Sequence, residues 1–546
     1  MRTTTRAYRA GPFVARSIAA AAVVAASVAV STVPADSLPA AHADEVTQPL
    51  PLGPAGLPES RTTTELAPGV TLTHIVRGAP GAGTPWVVEV SIPSTTSSPD
   101  PDAPPRSVQD RASAEAIARR LTESGLRAEA QAVEQPAVAD VPAGVIGYRV
   151  RLTEQFPTQA AAQGAASKVQ AAGYSARTWY SGWDGGSSVS GQWTVNVLTV
   201  DPRPFRGRLG ATFGPDLENR ETTTALSRWS GAVAAVNGGF FVLDPASGAP
   251  GDPAGAGVYD GLLESETVGQ RPVLALDRNG RHTQVVRPEW RGSLRTELEQ
   301  LPLDGLNRVP GLIRNCGGDA TDTPTQLPLH DVTCRDADEL VAFSTAFGPT
   351  TPAGPGAEVV LDRTGRVMSV SPNRGVALAP GQQSVQGTGA LAEKVAALKP
   401  GQHVGLDLRL TSSEGGNLVR PGTSVVNGGP QLLSDGAVHI TQAQDGMVHP
   451  GDPSFAYGWV LQRNPRTFAG VDHQGRTLLV TVDGRQPDQL GLSIPETAAV
   501  AQALGLDDAL NLDGGGSTAM AVRGQLTNQP SDATGERPVG DAIYVG

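Results

Sequence analysis

The chain has 546 residues, a formal net charge of −12, and only 18% charged residues. That balance argues against nucleic acid or an anionic membrane surface as a main partner. With Gly 65, Pro 45 and few long amphipathic stretches, the expected fold class is α+β, with a β-rich mixed main domain.

The first 43 residues read as a secretory signal. Arg2, Arg6, Arg9 and Arg16 give a positive start, Ser17 to Val33 an Ala/Val-rich apolar run, and Ala41-His42-Ala43 a small-x-small cleavage site. The alternative is a membrane anchor, but the run is short and Ala-rich against the roughly 20 residues a span needs. The expected product is secreted, extracellular or cell-wall associated, with no membrane contact after cleavage. Residues 44–60 are Pro-rich and polar, and read as a flexible linker.

Residues 61–82 hold the first strands of the main domain, the clearest at Val70 to Gly78. A small α+β unit follows over 83–187. Ala114, Ile117, Ala118 and Leu121 lie on one helical face that ends at Gly125, and Arg127 to Val133 alternates as a strand. Tyr148 to Leu152 begins a second copy, with an Ala-rich helix from Thr158 to Ala172, Gly173 as its stop, and a strand from Tyr174 to Tyr180. The layout resembles the SPOR family, whose modules bind peptidoglycan glycan strands. The alternative is an insert that only packs on the main domain. Strands resume at Gln192 to Pro202 as a continuation of Val70 to Gly78, so the unit reads as an insertion and 188–546 as the rest of the main domain.

Cys316 and Cys334 are the only cysteines. In an exported chain a disulfide between them is expected, with two free thiols as the alternative; without nearby histidines they make a poor zinc site.

Three apolar strands end alike. Ala234 to Val236 runs into Asn237-Gly238-Gly239-Phe240-Phe241, Ser424 to Val426 into Asn427-Gly428-Gly429-Pro430, and Ala509 to Leu512 into Asp513-Gly514-Gly515-Gly516-Ser517-Thr518. Three hairpin turns would explain them. The apolar continuations point instead to bare glycine backbones meeting as a pocket floor, with an amide or carboxylate at each lip. A fourth strand, Leu478 to Val482, ends in Asp483-Gly484-Arg485, and Gly535-Glu536-Arg537-Pro538 again sets a carboxylate beside an arginine. The bland reading of each pair is a surface ion pair. The loop after Asp513 lacks the lysine of a nucleotide-binding P-loop.

These motifs, with Arg466-Thr467-Phe468-Ala469-Gly470 and Val539-Gly540-Asp541-Ala542, resemble the phosphodiester glycosidase family over roughly 188–546. The family often has Asn where Asp541 stands. The resemblance implies hydrolysis of a sugar-1-phosphodiester on a phosphorylated glycan, leaving a phosphate monoester. It makes Asp513 the expected carboxylate at the sugar, Asp483 or Glu536 the second carboxylate, and Arg485 the phosphate clamp. Asn237, Gly238, Gly239, Asn427, Gly428, Gly429, Gly514, Gly515, Ser517, Thr518 and Arg537 would complete the substrate site. No cofactor or metal is expected; the alternative is a divalent cation held by Asp507, Asp508 and Asp513. Two other functions stay open, a phosphodiesterase cutting the P–O bond and a peptidoglycan-binding protein with an inert main domain.

Overall fold

The computed structural model describes residues 48–546 apart from 82–83, 94–104, 188, 315–321, 326–331 and 450. The expected signal segment, 1–43, and Cys316 lie outside the described residues. Cys334 is fully buried on the strand Val332–Arg335. Among the described residues no helix is long and apolar enough to cross a membrane.

An eight-stranded antiparallel sheet forms the spine. Its order is Glu59–Ala67, Val70–Gly78, Gln192–Val200, Thr477–Val482, Arg466–Asp472, Leu506–Asn511, Gln431–Ser434 and Ala437–Val438. A five-stranded sheet centred on Ala234–Asn237 and another centred on Thr423–Asn427 pack around it. Leu510 and Leu512 from the spine, Val236, Val426, Met520 and Ile543 share one core where these sheets meet. Each of those leucines is completely buried, which contributes about 2 kcal/mol per side chain. The packing pins the ends of the Asp513, Asn237 and Asn427 strands to one another.

Val70–Gly78 and Gln192–Val200 pair directly, with Gly78 opposite Gln192. The chain between them leaves and re-enters the spine at one point. It forms a separate antiparallel sheet ordered Ala128–Gln135, Gly144–Leu152, Trp86–Ser91 and Ser175–Tyr180. Helices Arg111–Glu123 and Gln159–Ala171 pack on it through Ala114, Ala118, Leu121, Ala162, Ala166 and Val169. Asp110 and Thr158 cap their starts, and Gly125 (φ 83°) and Gly173 (φ 91°) take the left-handed conformation just past their ends.

The sheet's other face is filled by charge. Glu89, completely buried, accepts from Arg151 (2.9 Å), Arg177 (2.6 Å) and the Tyr457 hydroxyl (3.0 Å), while Arg151 also pairs with Asp184. Burial alone would raise the Glu89 carboxyl; Arg177, Arg151 and Arg149 override it and hold it well below the usual carboxylate range. Because Tyr457 belongs to the main domain, this network fixes the α/β unit in place and occupies its sheet face.

The stretch expected to be a flexible linker is packed where it is described. Leu50 and Leu52 are buried, and Arg77 Nε donates to the Leu52 carbonyl (2.7 Å). Between Val286 and Thr423 the chain builds three further sheets: one of three strands and one of five over an apolar core, and a small one of Ile313–Arg314, Val332–Arg335 and Thr323–Pro324.

Candidate active site

The three Asn/Asp-Gly-Gly loops meet. Asn237 Nδ2 donates to the Asp513 carbonyl (2.7 Å), and the Asp513 N–H donates to the Gly238 carbonyl (3.2 Å). The Gly429 N–H donates to the Asn511 carbonyl (2.7 Å), and Asn511 Nδ2 returns to the Gly429 carbonyl (3.0 Å). Asn427 clasps the first loop, accepting from Phe240 N (3.0 Å) and donating to Phe240 O (3.1 Å). A Cβ on Gly428 would lie 2.6 Å from the Asn511 carbonyl, so this approach needs glycine.

These contacts change the role expected for the two asparagines. Asn237 Oδ1 is taken by the Thr467 hydroxyl (2.7 Å) and the Ala519 N–H (3.1 Å), and the residue is completely buried. Both amides hold the loops together.

Two guanidinium groups rest on the glycine run after Asp513. A Cβ on Gly515 would sit 3.1 Å from both terminal nitrogens of Arg485, and one on Gly516 would overlap the Arg537 guanidinium and its partner Asp532. Arg537 Nε donates to Asp532 (2.8 Å), and Arg485 Nε to Asn464 Oδ1 (3.1 Å). Arg485 itself has φ 58°, an uncommon conformation for a non-glycine residue and one that aims its side chain at the loop. Main-chain amides are less available than expected. Those of Gly514, Gly515, Ser517 and Thr518 already donate within the loop or to Pro465. The Ser517 and Thr518 hydroxyls are buried and have no hydrogen-bond partner, leaving two donors in the loop without an acceptor.

Sequence reasoning missed two further arginines. Arg466 is buried under the loop, donating to the carbonyls of Leu492 (2.9 Å) and Trp459 (2.6 Å). Burial, then the charge of Arg485, brings its pKa down to about 9, so it stays charged at neutral pH. Arg220 precedes the strand Glu221–Thr222, which pairs with Pro538–Val539 beside Arg537. Burial and the Arg537 charge lower its pKa, and it makes no described hydrogen bond or ion pair. Four cations thus gather around one glycine loop in an acidic chain, an arrangement that favours a bound anion. No motif marks Arg220; only a half-buried cation without a counter-charge gives it away.

The carboxylates divide. Asp513 is 6% exposed, and its Oδ1 accepts from its own loop at Gly514 N (2.9 Å). Asp483, 3% exposed, accepts from Asn528 Nδ2 and Gln529 N (both 3.2 Å). Asn528 also donates to the Thr518 carbonyl (3.0 Å), tying Asp483 to the loop's far end. Burial pushes Asp483 up to about 6, against the smaller opposing effect of those donors. Glu536 is committed elsewhere. Its two oxygens take the Thr224 N–H (2.8 Å) and hydroxyl (2.7 Å) at the start of helix Thr223–Trp229, which gives it a capping role.

Asp507 and Asp508 stand at the opposite end of the strand Leu506–Asn511 from Asp513, against the turn at Asp435 and Gly436. At about 3.3 Å per residue they are too far from Asp513 to share a cation. The Asp507-Asp508-Asp513 alternative is therefore overturned. Among the described residues no three His, Cys, Asp or Glu side chains are grouped for a metal ion.

Asp541 supports the floor from beneath. Its Oδ1 accepts from Gly239 N and its Oδ2 from the Tyr259 hydroxyl (both 2.9 Å). Burial raises it to about 6. The folded state therefore holds this proton more tightly than the unfolded chain, whose carboxyl titrates near 4. Stability is lost as pH rises from about 4 to about 6, amounting to ~3 kcal/mol at neutral pH. Asp541→Asn can keep both contacts, accepting from Gly239 and donating to Tyr259. It is expected to melt above the wild type at pH 7.5 and level with it at pH 4, as read by thermal denaturation across that range.

The β-rich fold thus gathers glycine loops, a buried aspartate and a set of arginines in one place. Residues 355–546 match the family model for phosphodiester glycosidases. Residues 355–546 thus form a phosphodiester glycosidase domain. It is 30% identical over 113 residues to the bovine (Bos taurus) N-acetylglucosamine-1-phosphodiester alpha-N-acetylglucosaminidase, an alignment covering 20% of this chain and 21% of the bovine protein. The chain thus spans about a fifth of the length of the curated relatives it matches. A crystal structure of a candidate exported protein from Burkholderia pseudomallei K96243 is 34% identical, with TM-score 0.80, covering 91% of this chain and 98% of that one. A hypothetical protein from Synechocystis shares the fold at 16% identity and TM-score 0.50, with 89% and 76% covered.

Proposed function

We propose that this protein is a secreted hydrolase that cleaves the C1–O bond of a sugar-1-phosphodiester of the N-acetylglucosamine-1-phosphate type. Water adds its hydroxyl to C1, and the phosphate departs as a monoester on its carrier. The observation that carries the reading is the seating of Arg485 on Gly515 and of Arg537 on Gly516, directly after Asp513. The guanidiniums hold the phosphodiester and take up the charge that grows on the leaving phosphate. Asp513 activates water or attacks C1. Asp483, raised to about 6, is the better placed of the remaining carboxyls to hold a proton for the leaving oxygen.

The natural substrate on this reading is a cell-envelope or other extracellular glycan, in keeping with the signal-like residues 1–43. Peptidoglycan is a proposed partner of the SPOR-like unit, through surfaces other than the sheet face that Glu89, Arg151 and Tyr457 fill. The deciding experiment follows the products from UDP-N-acetylglucosamine and from a methyl phosphodiester of N-acetylglucosamine-1-phosphate by mass. Free sugar is expected. Sugar-1-phosphate would mean that the P–O bond is cut, and would sink the glycosidase reading.

A further inference from the structure

The α/β unit leads back toward the spine through a single 3₁₀ turn, Ser181–Asp184, which carries Trp183. The indole is boxed by its own unit: Trp86, Trp179 and Tyr180 meet it edge to face, with ring centroids 5.7, 5.1 and 5.4 Å away. That packing fixes the ring, and its N–H points out of the unit. Nε1 donates to the Gln486 carbonyl (3.2 Å) in the main domain, on the residue directly after Arg485.

The same residue reaches the other support of Arg485. Arg485 Nε is held by Asn464 Oδ1 (3.1 Å). Asn464 follows Arg463, whose N–H donates to the Trp183 carbonyl (2.8 Å). The Arg463 guanidinium is completely buried, donates to the carbonyls of Gly182 and Gly186 (both 2.8 Å) and pairs with Glu496 (2.6 Å). The approach is tight, since a Cβ on Gly182 would lie 2.6 Å from the Tyr180 ring and 3.0 Å from Leu490. The exit of the α/β unit is therefore bonded both to the segment that holds the Arg485 side chain and to the residue that follows Arg485 in the chain.

Arg485 needs such support. At φ 58° it occupies a region that side chains disfavour, and such residues persist only where their surroundings dictate the conformation. Gln486 closes on Gln489 in both directions (3.2 and 3.0 Å), and its side chain meets Pro530 and Gln529. Those contacts lie inside the turn or on the neighbouring loop. Trp183 ties the turn to a separate sheet with its own packed core.

We propose that Trp183 is a positioning residue of the active site, through which the α/β unit holds the Arg485 guanidinium against the glycine loop. The inference rests on the phosphodiester reading only for what Arg485 binds. It adds a part for the α/β unit in the main domain's chemistry, separate from any glycan the unit itself takes.

The test compares Trp183→Phe with Trp179→Phe and the wild type. Each substitution keeps a stacked ring and removes one indole N–H; that of Trp179 goes to Asp184 (2.9 Å), inside the unit. Thermal melts confirm that both variants fold. With ¹⁵N-labelled arginine, the Arg485 Nε–H resonance is assigned by its loss in Arg485→Lys, and its solvent exchange is measured without ligand. Exchange is expected to be about fivefold faster in Trp183→Phe, what one neutral hydrogen bond contributes, and unchanged in Trp179→Phe. Inorganic phosphate, titrated by calorimetry, is expected to bind Trp183→Phe more weakly by the same factor. Unchanged exchange in Trp183→Phe would overturn the proposal. Equal acceleration in both variants would also overturn it, because the effect would then belong to the packing of the aromatic cluster. A wild type that binds no phosphate would count against the phosphodiester reading, while the exchange rates still decide whether Trp183 positions Arg485.

Discussion

Asp513→Asn is expected to lower kcat on a sugar-1-phosphodiester by on the order of 10²–10⁴, the usual contribution of a positioned acid or base, while the protein melts as the wild type does. Its place is set by main-chain bonds that the substitution keeps: Asp513 N to the Gly238 carbonyl and Asn237 Nδ2 to the Asp513 carbonyl. The contact from Gly514 N to Oδ1 is kept as well, since an amide oxygen accepts it equally well. What disappears is the negative charge and the capacity to take a proton. A loss in kcat at unchanged KM and unchanged melting would assign Asp513 to the chemical step. Full activity in the variant would remove it from the mechanism and leave the loop as an anion cradle only. Loss of folding would be contrary to the geometry, and Asn237→Ala separates the cases. Asn237 ties Asp513, Thr467 and Ala519 together from a fully buried position, so its loss is expected to lower the melting temperature first and activity as a consequence.

What could be read from the sequence was local. Apolar strands that stop at Asn-Gly-Gly or Asp-Gly-Gly are visible in a dozen residues, and such stops mark where a sheet end opens. The helices of the α/β unit were visible for the same reason, through apolar spacing with an N-cap and a closing glycine within each segment. What could not be read depends on partners far along the chain. The partners that hold the Asn237 amide, at Thr467, Asp513 and Ala519, lie more than 200 residues away. Glu536 stands beside Arg537 in sequence, and the helix it caps at Thr224 lies 312 residues earlier. Asp507 and Asp508 looked close to Asp513 in sequence, but an extended strand puts them at its other end. Arg220 sits in a polar loop that resembles any other until the pairing of Glu221–Thr222 with Pro538–Val539 carries it toward Arg537. The sheets between Val286 and Thr423 read only as more short strands, because nothing in a β-strand's own sequence says which sheet it joins.

Arg485→Ala is expected to cut kcat/KM by about 10²–10³, the usual loss when one preorganised donor to a developing anion is removed. Arg485→Lys is expected to recover only part of it, because an ammonium restores charge but not the two-pronged fork. The backbone supplies a sharper discriminator. Arg485 sits at φ 58°, where a side chain is disfavoured and glycine is at ease. If the residue were kept for stability, Arg485→Gly would cost folding energy. The geometry implies the opposite: relief of left-handed strain, of order 1–3 kcal/mol, offsets the greater freedom that glycine gives the unfolded chain. Arg485→Gly is therefore expected to melt no lower than the wild type while losing activity as Arg485→Ala does. Gly516→Ala reaches the same site from the other side, since the added methyl displaces the far end of the Arg537 side chain and leaves the backbone where it is. It is expected to raise KM for the phosphodiester with little change in melting, and the double variant Gly516→Ala/Arg537→Ala to lose no more than Arg537→Ala alone. Such non-additivity would show that both substitutions act through one guanidinium. Additive losses would mean that Gly516 serves the reaction through its own backbone and that Arg537 binds elsewhere.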